Sequence, residues 1–257
     1  MSGAPSPGAT DVLVVDDIAK TYRRGAAAYG CLREFLAAPL RATGSHGRVV
    51  HALDGVSLHV PSGGTFAVIG ANGAGKSTLL KVVARITPPD RGRVFVAGRL
   101  SALIEVGAGF HPELTGRENV LLHGSILGLP RRVLRASMDE ISGFAGLEDA
   151  MDTPVKFFST GMYARLGFAV AVHAAPRVLL VDEVLSVGDE AFRERCYERI
   201  ALLKRGGTGI LFVSHDLRAV RRLAETTAWL EHGRFRLVGD SRDVVDAYRA
   251  WVASSPA

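Results

Sequence analysis

Gly70-Ala71-Asn72-Gly73-Ala74-Gly75-Lys76-Ser77 is the stretch whose residue types and spacing could do chemistry by themselves. It fits G-x-x-x-x-G-K-[ST], in which glycines let successive backbone N–H groups turn inward around a phosphate. Residues 65–69 before it read as a buried strand, and residues 78–84, opening at Thr78, read as a helix. That helix start adds unpaired N–H donors and the positive end of a dipole. Lys76 would supply a point charge to the β- and γ-phosphates, and the Ser77 hydroxyl would ligate Mg²⁺. Eight matched positions with both flanks correct indicate a nucleoside triphosphate site.

Other residues could serve the same chemistry. Val178-Leu179-Leu180-Val181-Asp182-Glu183 is an apolar strand ending in two carboxylates. On a strand beside the phosphate loop, Asp182 would approach the metal through a water, and Glu183 would orient or deprotonate an attacking water. His215, in Val213-Ser214-His215-Asp216, could donate to the γ-phosphate or could be purely structural. Ser159-Thr160-Gly161 opens a helix and forms a second anion-binding end. It reads either as an ordinary N-cap or as a site for the nucleotide of a second, facing copy. Tyr22 could stack on a base or pack in the core.

The elements that must position these residues follow from the pattern. Residues 11–15 and 52–60 read as strands, the second joined to the loop strand by Pro61-Ser62-Gly63-Gly64. Short strands are expected at 93–96 and 101–104, on either side of Gly98. From Thr115 to about 172 the text is mostly helical, opening on the capping box Thr115-Gly116-Arg117-Glu118 and continuing with helices at 131–144 and 162–173. Strands return at 178–181 and 209–213, with a helix at 191–204 between them. A hairpin straddles His232-Gly233, and a last helix runs over about 242–252. Residues 29–40 place Leu32, Phe35, Leu36 and Leu40 at helical spacing. That segment would either cover its own domain or act as a lever against a partner or membrane.

The whole chain narrows the function classes. Its 257 residues, 47% hydrophobic and 22% charged, suit an ordinary globular α/β protein. The two cysteines, Cys31 and Cys196, lack metal-ligand spacing, so neither a disulfide framework nor a zinc site is expected, and a reducing compartment is. No apolar run approaches the ~20 residues of a membrane span. Residues 1–10 read as a loose tail and not a signal peptide. The expectation is a protein inside the cell unless a partner holds it at a membrane. The net charge of +5 suits nucleic acid or an anionic membrane face and does not choose between them.

The order of motifs carries a resemblance. The phosphate loop, Ser159-Thr160-Gly161-Met162-Tyr163, residues 178–183, Val187-Gly188-Asp189 and Ser214-His215-Asp216 together resemble the ATP-binding subunits of ABC transporters, over nearly all of residues 11–240. The resemblance implies an α/β P-loop NTPase core of the ABC-type ATPase kind, with an antiparallel β subdomain and a helical subdomain at about 106–174. It also implies an amphipathic insertion at about 29–42, a flexible tail at 1–10, and a C-terminal helix and tail at 241–257. Two such domains would sandwich ATP, the loop of one facing Ser159, Gly161 and Met162 of the other. Gly70, Asn72, Gly73, Ala74, Gly75, Lys76, Ser77 and Thr78 would hold the nucleotide, and Ser77 and Asp182 the Mg²⁺. Tyr22 resembles the adenine-stacking aromatic, Glu183 the catalytic base, Asp189 the intersubunit residue and His215 the switch histidine.

Two departures narrow the subclass. The usual LSGGQ is replaced by Phe158-Ser159-Thr160-Gly161-Met162, and Glu105 stands at or beside the position of a metal-linked Gln. With residues 107–119, these look like exporters of lipid-linked polysaccharide, of which O-antigen, capsule, galactan and teichoic-acid exporters are examples. The resemblance then implies a homodimer on the cytoplasmic side of the cell membrane, bound peripherally to an integral membrane permease that contacts most of the glycan. Nucleic acid is not an expected partner, and no further carbohydrate-binding domain is expected before Ala257. The competing readings are an exporter ATPase for a drug or lipid, an ABC-type ATPase acting on DNA or ribosomes, and a P-loop kinase.

Overall fold

The computed structural model describes residues 10–24, 48–103, 109–182 and 188–254. The expected 29–42 insertion, Glu105 and Glu183 lie outside the described residues. Two fourteen-residue strands, β1 (Asp11–Arg24) and β2 (Arg48–Pro61), pair antiparallel, with Leu13 opposite Val60 and Tyr22 opposite Val50. Both run longer than the alternation in the sequence suggests, because register shifts after Val15 and Ile18 carry β1 through a bulge at Asp17, whose φ is 49°.

A tight turn leads to β3 (Thr65–Ile69), every residue of which is buried, and the phosphate loop then opens α1 (Lys76–Val83). β4 (Arg91–Val96) returns to β1 and completes a three-stranded antiparallel sheet in the order β2-β1-β4. β5 (Leu100–Leu103) follows after Gly98 but belongs to a different, six-stranded sheet, where it pairs parallel with β6 (Val178–Asp182). The adjacent short strands at 93–96 and 101–104 are therefore not partners.

Helices fill the interval between β5 and β6. α2 (Gly116–Ile126) begins on the expected capping box. The single helix expected at 131–144 is two, α3 (Arg131–Ala136) and α4 (Met138–Ala145), with Ser137 between them at φ −95° and ψ 5°. Leu134 of α3 seats against Gly124 of α2, where a Cβ would lie 2.2 Å from the leucine Cδ2. α5 (Thr160–His173) runs back toward β6.

After β6 the chain forms α6 (Glu190–Arg205), β7 (Gly209–Val213), the unanticipated α7 (Leu217–Leu223), β8 (Thr226–Glu231), β9 (Arg234–Asp240) and α8 (Ser241–Ser254). The large sheet has the order β5-β6-β7-β3-β8-β9, parallel except for the β8–β9 hairpin. Its central strands are apolar throughout because both faces are covered. Phe66, Val68, Leu180 and Leu211 join a core with the small sheet and α1, while Ala67, Ile69, Leu179 and Phe212 join one with α5, α6, α7 and α8. A third core lies among α2, α4 and α5.

Candidate nucleotide site

The phosphate loop is shaped by backbone contacts that admit no side chain. Gly75 caps α1 at φ 113°, and a Cβ there would lie 2.2 Å from the carbonyl oxygen of Ala52. A Cβ on Gly70 would lie equally close to the carbonyl of Leu230. The loop is thus pressed between β2 and β8, a geometry that glycine alone allows at low cost. Lys76 is buried, and its Nζ donates to the carbonyls of Gly70 (2.8 Å) and Ala71 (2.9 Å). The ammonium is held inside the cradle by these two carbonyls.

A cavity of about 320 Å³ opens over this cradle. The structure brings Asn72, Gly73, Gly75, Lys76, Ser77 and Thr78 to it, together with Asp182. Gly70 and Ala74 shape the loop from behind, Ala74 being buried. β6, the strand that carries Asp182, is separated from β3 by β7. Asp182 still reaches the site. Parallel strands present their carboxyl ends on one side of a sheet, which is where ligands of open α/β sheets bind.

The site also includes two residues that residue type does not announce. Val50 and Ala52 of β2 line the cavity. Tyr22, opposite Val50 in the β1–β2 register, is 41% exposed. Its ring lies 5.8 Å from Lys20 Nζ. At that exposure the ring is not packed in the core, and Tyr22 itself does not line the cavity.

The donor set fits Mg²⁺ shared with phosphate. A hydroxyl (Ser77) and a carboxylate (Asp182) are hard oxygen ligands, and Mg²⁺ is typically held by one or two such groups plus substrate phosphates. Among the described residues no group of three or more His, Cys, Asp or Glu gathers as an all-protein metal site.

The remaining predicted residues stand elsewhere. Ser159 caps α5, its Oγ accepting from the Met162 N–H at 3.2 Å, and Ser159 and Thr160 are exposed. Asp189 caps α6, its Oδ1 accepting from the Phe192 N–H at 2.8 Å, and it too is exposed. His215 is exposed after β7, immediately before Asp216, the N-cap of α7. None of Ser159, Gly161, Met162, Asp189 or His215 lines the cavity.

Comparison with known proteins gives this geometry a family. The family profile described as ABC transporter matches residues 53–186. The O-antigen export system ATP-binding protein RfbB of Myxococcus xanthus is 40% identical over 255 residues, covering 98% of this chain and 58% of that protein. RfbB of Klebsiella pneumoniae is 42% identical over 80% of this chain and 84% of its own length. The teichoic acids export ATP-binding protein TagH of Lactiplantibacillus plantarum is 44% identical over 77% of this chain and 54% of its own. The chain thus spans little more than half the length of the Myxococcus and Lactiplantibacillus relatives. A solved ATP-binding subunit of an ABC transporter shares the fold, with a TM-score of 0.74 at 23% identity over 93% of both chains. A dimeric ATP-binding cassette bound to ADP and Pi does so at 0.72 and 20%, over 90% of this chain and 99% of its own. With the profile matched across the phosphate loop and Asp182, and relatives 40–44% identical over most of the sequence, the chain belongs to the ABC transporter family.

Proposed function

We propose that this chain is the ATP-hydrolysing subunit of an exporter of lipid-linked polysaccharide or teichoic acid. One observation carries the reading. Lys76, Ser77, Thr78 and Asp182 share a cavity, while the helix start at Ser159 is exposed and away from it. Such a chain holds two complementary halves of a phosphate site that it does not join, and a second copy placed face to face would join them. The names of its relatives support the export of O-antigen or teichoic acid.

In this mechanism the loop N–H groups and Lys76 bind the phosphates, and Ser159, Gly161 and Met162 of the second copy close over the γ-phosphate. Mg²⁺, held by Ser77 and Asp182, and by Glu105 if that residue takes the place of the family's Gln, would neutralise charge on the phosphate oxygens. Catalysis is then mostly positioning and charge stabilisation. Glu183, next after Asp182, orients and deprotonates the attacking water, His215 contacts the γ-phosphate, and Asp189 lies at the contact between copies. Tyr22 stacks on the adenine. Among the described residues no helix is long and apolar enough to cross a membrane. The path across the bilayer is assigned to a permease partner, with this chain on its cytoplasmic side.

The test is Glu183→Gln. ATP binding should persist while turnover falls by about 10²- to 10⁴-fold, the usual contribution of a general base. Undiminished hydrolysis would remove Glu183 from the mechanism.

A further inference from the structure

The phosphate loop is gripped from outside its cavity at a point that the proposed function leaves unassigned. The β8–β9 turn, His232 and Gly233, has φ values of 48° and 76°, the two positive angles a type I′ turn requires. This turn is docked on the loop. The Gly233 N–H donates to the carbonyl of Ala74 (3.0 Å), and the Gly233 carbonyl accepts from the N–H of Asp54 on β2 (2.8 Å). The Ala52 carbonyl faces both neighbours: a Cβ would come within 2.2 Å of it at Gly75 and 2.9 Å at Gly233. Three backbone segments therefore converge on one point of the loop. Side chains then tie the outer two together, because Arg234 Nε and Nη2 both donate to Asp54 Oδ2, at 2.9 and 2.5 Å.

The geometry points to Asp54 and Arg234 as positioning residues for nucleotide binding, which hold the hairpin turn on Ala74 and keep the loop N–H groups aimed inward before ATP arrives. The inference rests on reading that loop as the ATP site. Its physical basis is entropic. A glycine-rich loop loses much freedom on ordering, and a brace made on folding removes that loss from the binding step. The guanidinium holds the Asp54 carboxyl below the usual carboxylate range, so the pair stays ionised at neutral pH.

The molecule carries its own reporter. Asn72 and Gly73 line the phosphate cavity and also a second cavity of about 340 Å³ behind the loop, lined by Trp229 and Trp251. These are the only two tryptophans in the chain.

The experiment titrates the full chain with Mg·ATP and follows tryptophan emission, alongside steady-state turnover. Asp54→Asn and Arg234→Gln should each weaken ATP binding about three- to fivefold, the scale of one exposed ion pair. Turnover at saturating ATP should fall by less than the affinity does. The exchanged pair Asp54→Arg with Arg234→Asp should bind more tightly than either single variant. Unchanged affinity in the single variants, or an exchanged pair as weak as they are, overturns the inference. If Asp54→Asn melts early, Arg234→Gln against Arg234→Lys decides, since lysine keeps the charge and should recover part of the loss. A parent chain that fails to bind ATP would refute the reading of the loop itself, which separates the two failures.

Discussion

Burial decides what Cys196 can do. It lies on α6 with 2% exposure, in the core that also holds Phe192 and Ile200. Desolvation pushes its thiol from 9.0 up to about 12, with Arg195 only partly opposing. The thiolate is the nucleophile, so the folded chain should keep this cysteine inert. The sign of the linkage follows. Between pH 9 and 12 the unfolded chain gives up a proton that the folded chain retains, so this group lowers stability as pH rises through that window and contributes nothing below it. In a Cys31→Ser variant, where Cys196 is the sole thiol, a thiol reagent at pH 8 should label only as fast as the protein unfolds. Rapid labelling in the native state would contradict the burial argument. Other residues differ in how far type alone announces them. Lys76 and Ser77 are legible because the phosphate motif uses each by its side chain. Val50 and Ala52 are not, since they enter the site through strand register and through a backbone carbonyl, which any residue could supply.

The start of α2 shows a sequence signal realised bond by bond. Thr115 Oγ1 accepts from the Glu118 N–H, and Glu118 Oε2 accepts from the Thr115 N–H, the reciprocal pair of a capping box. One turn in, the buried Asn119 fixes the preceding loop. Its Oδ1 accepts from the His111 N–H (2.7 Å), and its Nδ2 donates to the carbonyls of His111, Leu114 and Thr115. Thr115→Ala should cost about 1 kcal/mol, the usual loss of an N-cap. Asn119→Ala should cost more, about 2 kcal/mol, because it removes all four of these side-chain hydrogen bonds at a buried position and takes from the His111 N–H its acceptor. Urea unfolding of both variants checks the ordering, and the reverse order would assign the loop's geometry to something other than Asn119. The same contrast governs which elements the sequence revealed. Period and caps disclosed β3, α2, α5 and the β8–β9 hairpin. α7 went unread although Asp216 accepts from the N–H groups of Arg218 and Ala219, because seven residues make only two turns, too few for an apolar period to stand out. That β4 and β5 belong to different sheets depends on partners at β1 and β6 that lie far away in the sequence.

The two helix starts, at Lys76 and at Thr160, are held by different parts of the fold. α1 follows β3 of the large sheet, whereas α5 is the last of the helices that separate β5 from β6 in the chain. Within one chain the second start, whose Ser159 and Thr160 are exposed, does not line the cavity. Two chains in opposite orientation would use it, and one substitution separates folding from that use. Gly161 lies in the first turn of α5, and an added Cβ would meet only Ser159 Oγ, at 3.9 Å. An aspartate fits there and places its negative charge at the favourable end of the helix dipole, worth about 0.3–1 kcal/mol, in addition to removing a helical glycine. Gly161→Asp should therefore leave thermal stability equal or higher. The same carboxylate would face a γ-phosphate in the closed pair, and like charges at close range in a desolvated interface repel strongly. In a Glu183→Gln background, Mg·ATP should drive the chain to a dimer by light scattering. Adding Gly161→Asp should keep it monomeric while ATP still binds in the Lys76 cradle. A dimer that survives the added aspartate would mean that the two copies meet through some other face, and that the Ser159 end of α5 is an ordinary cap.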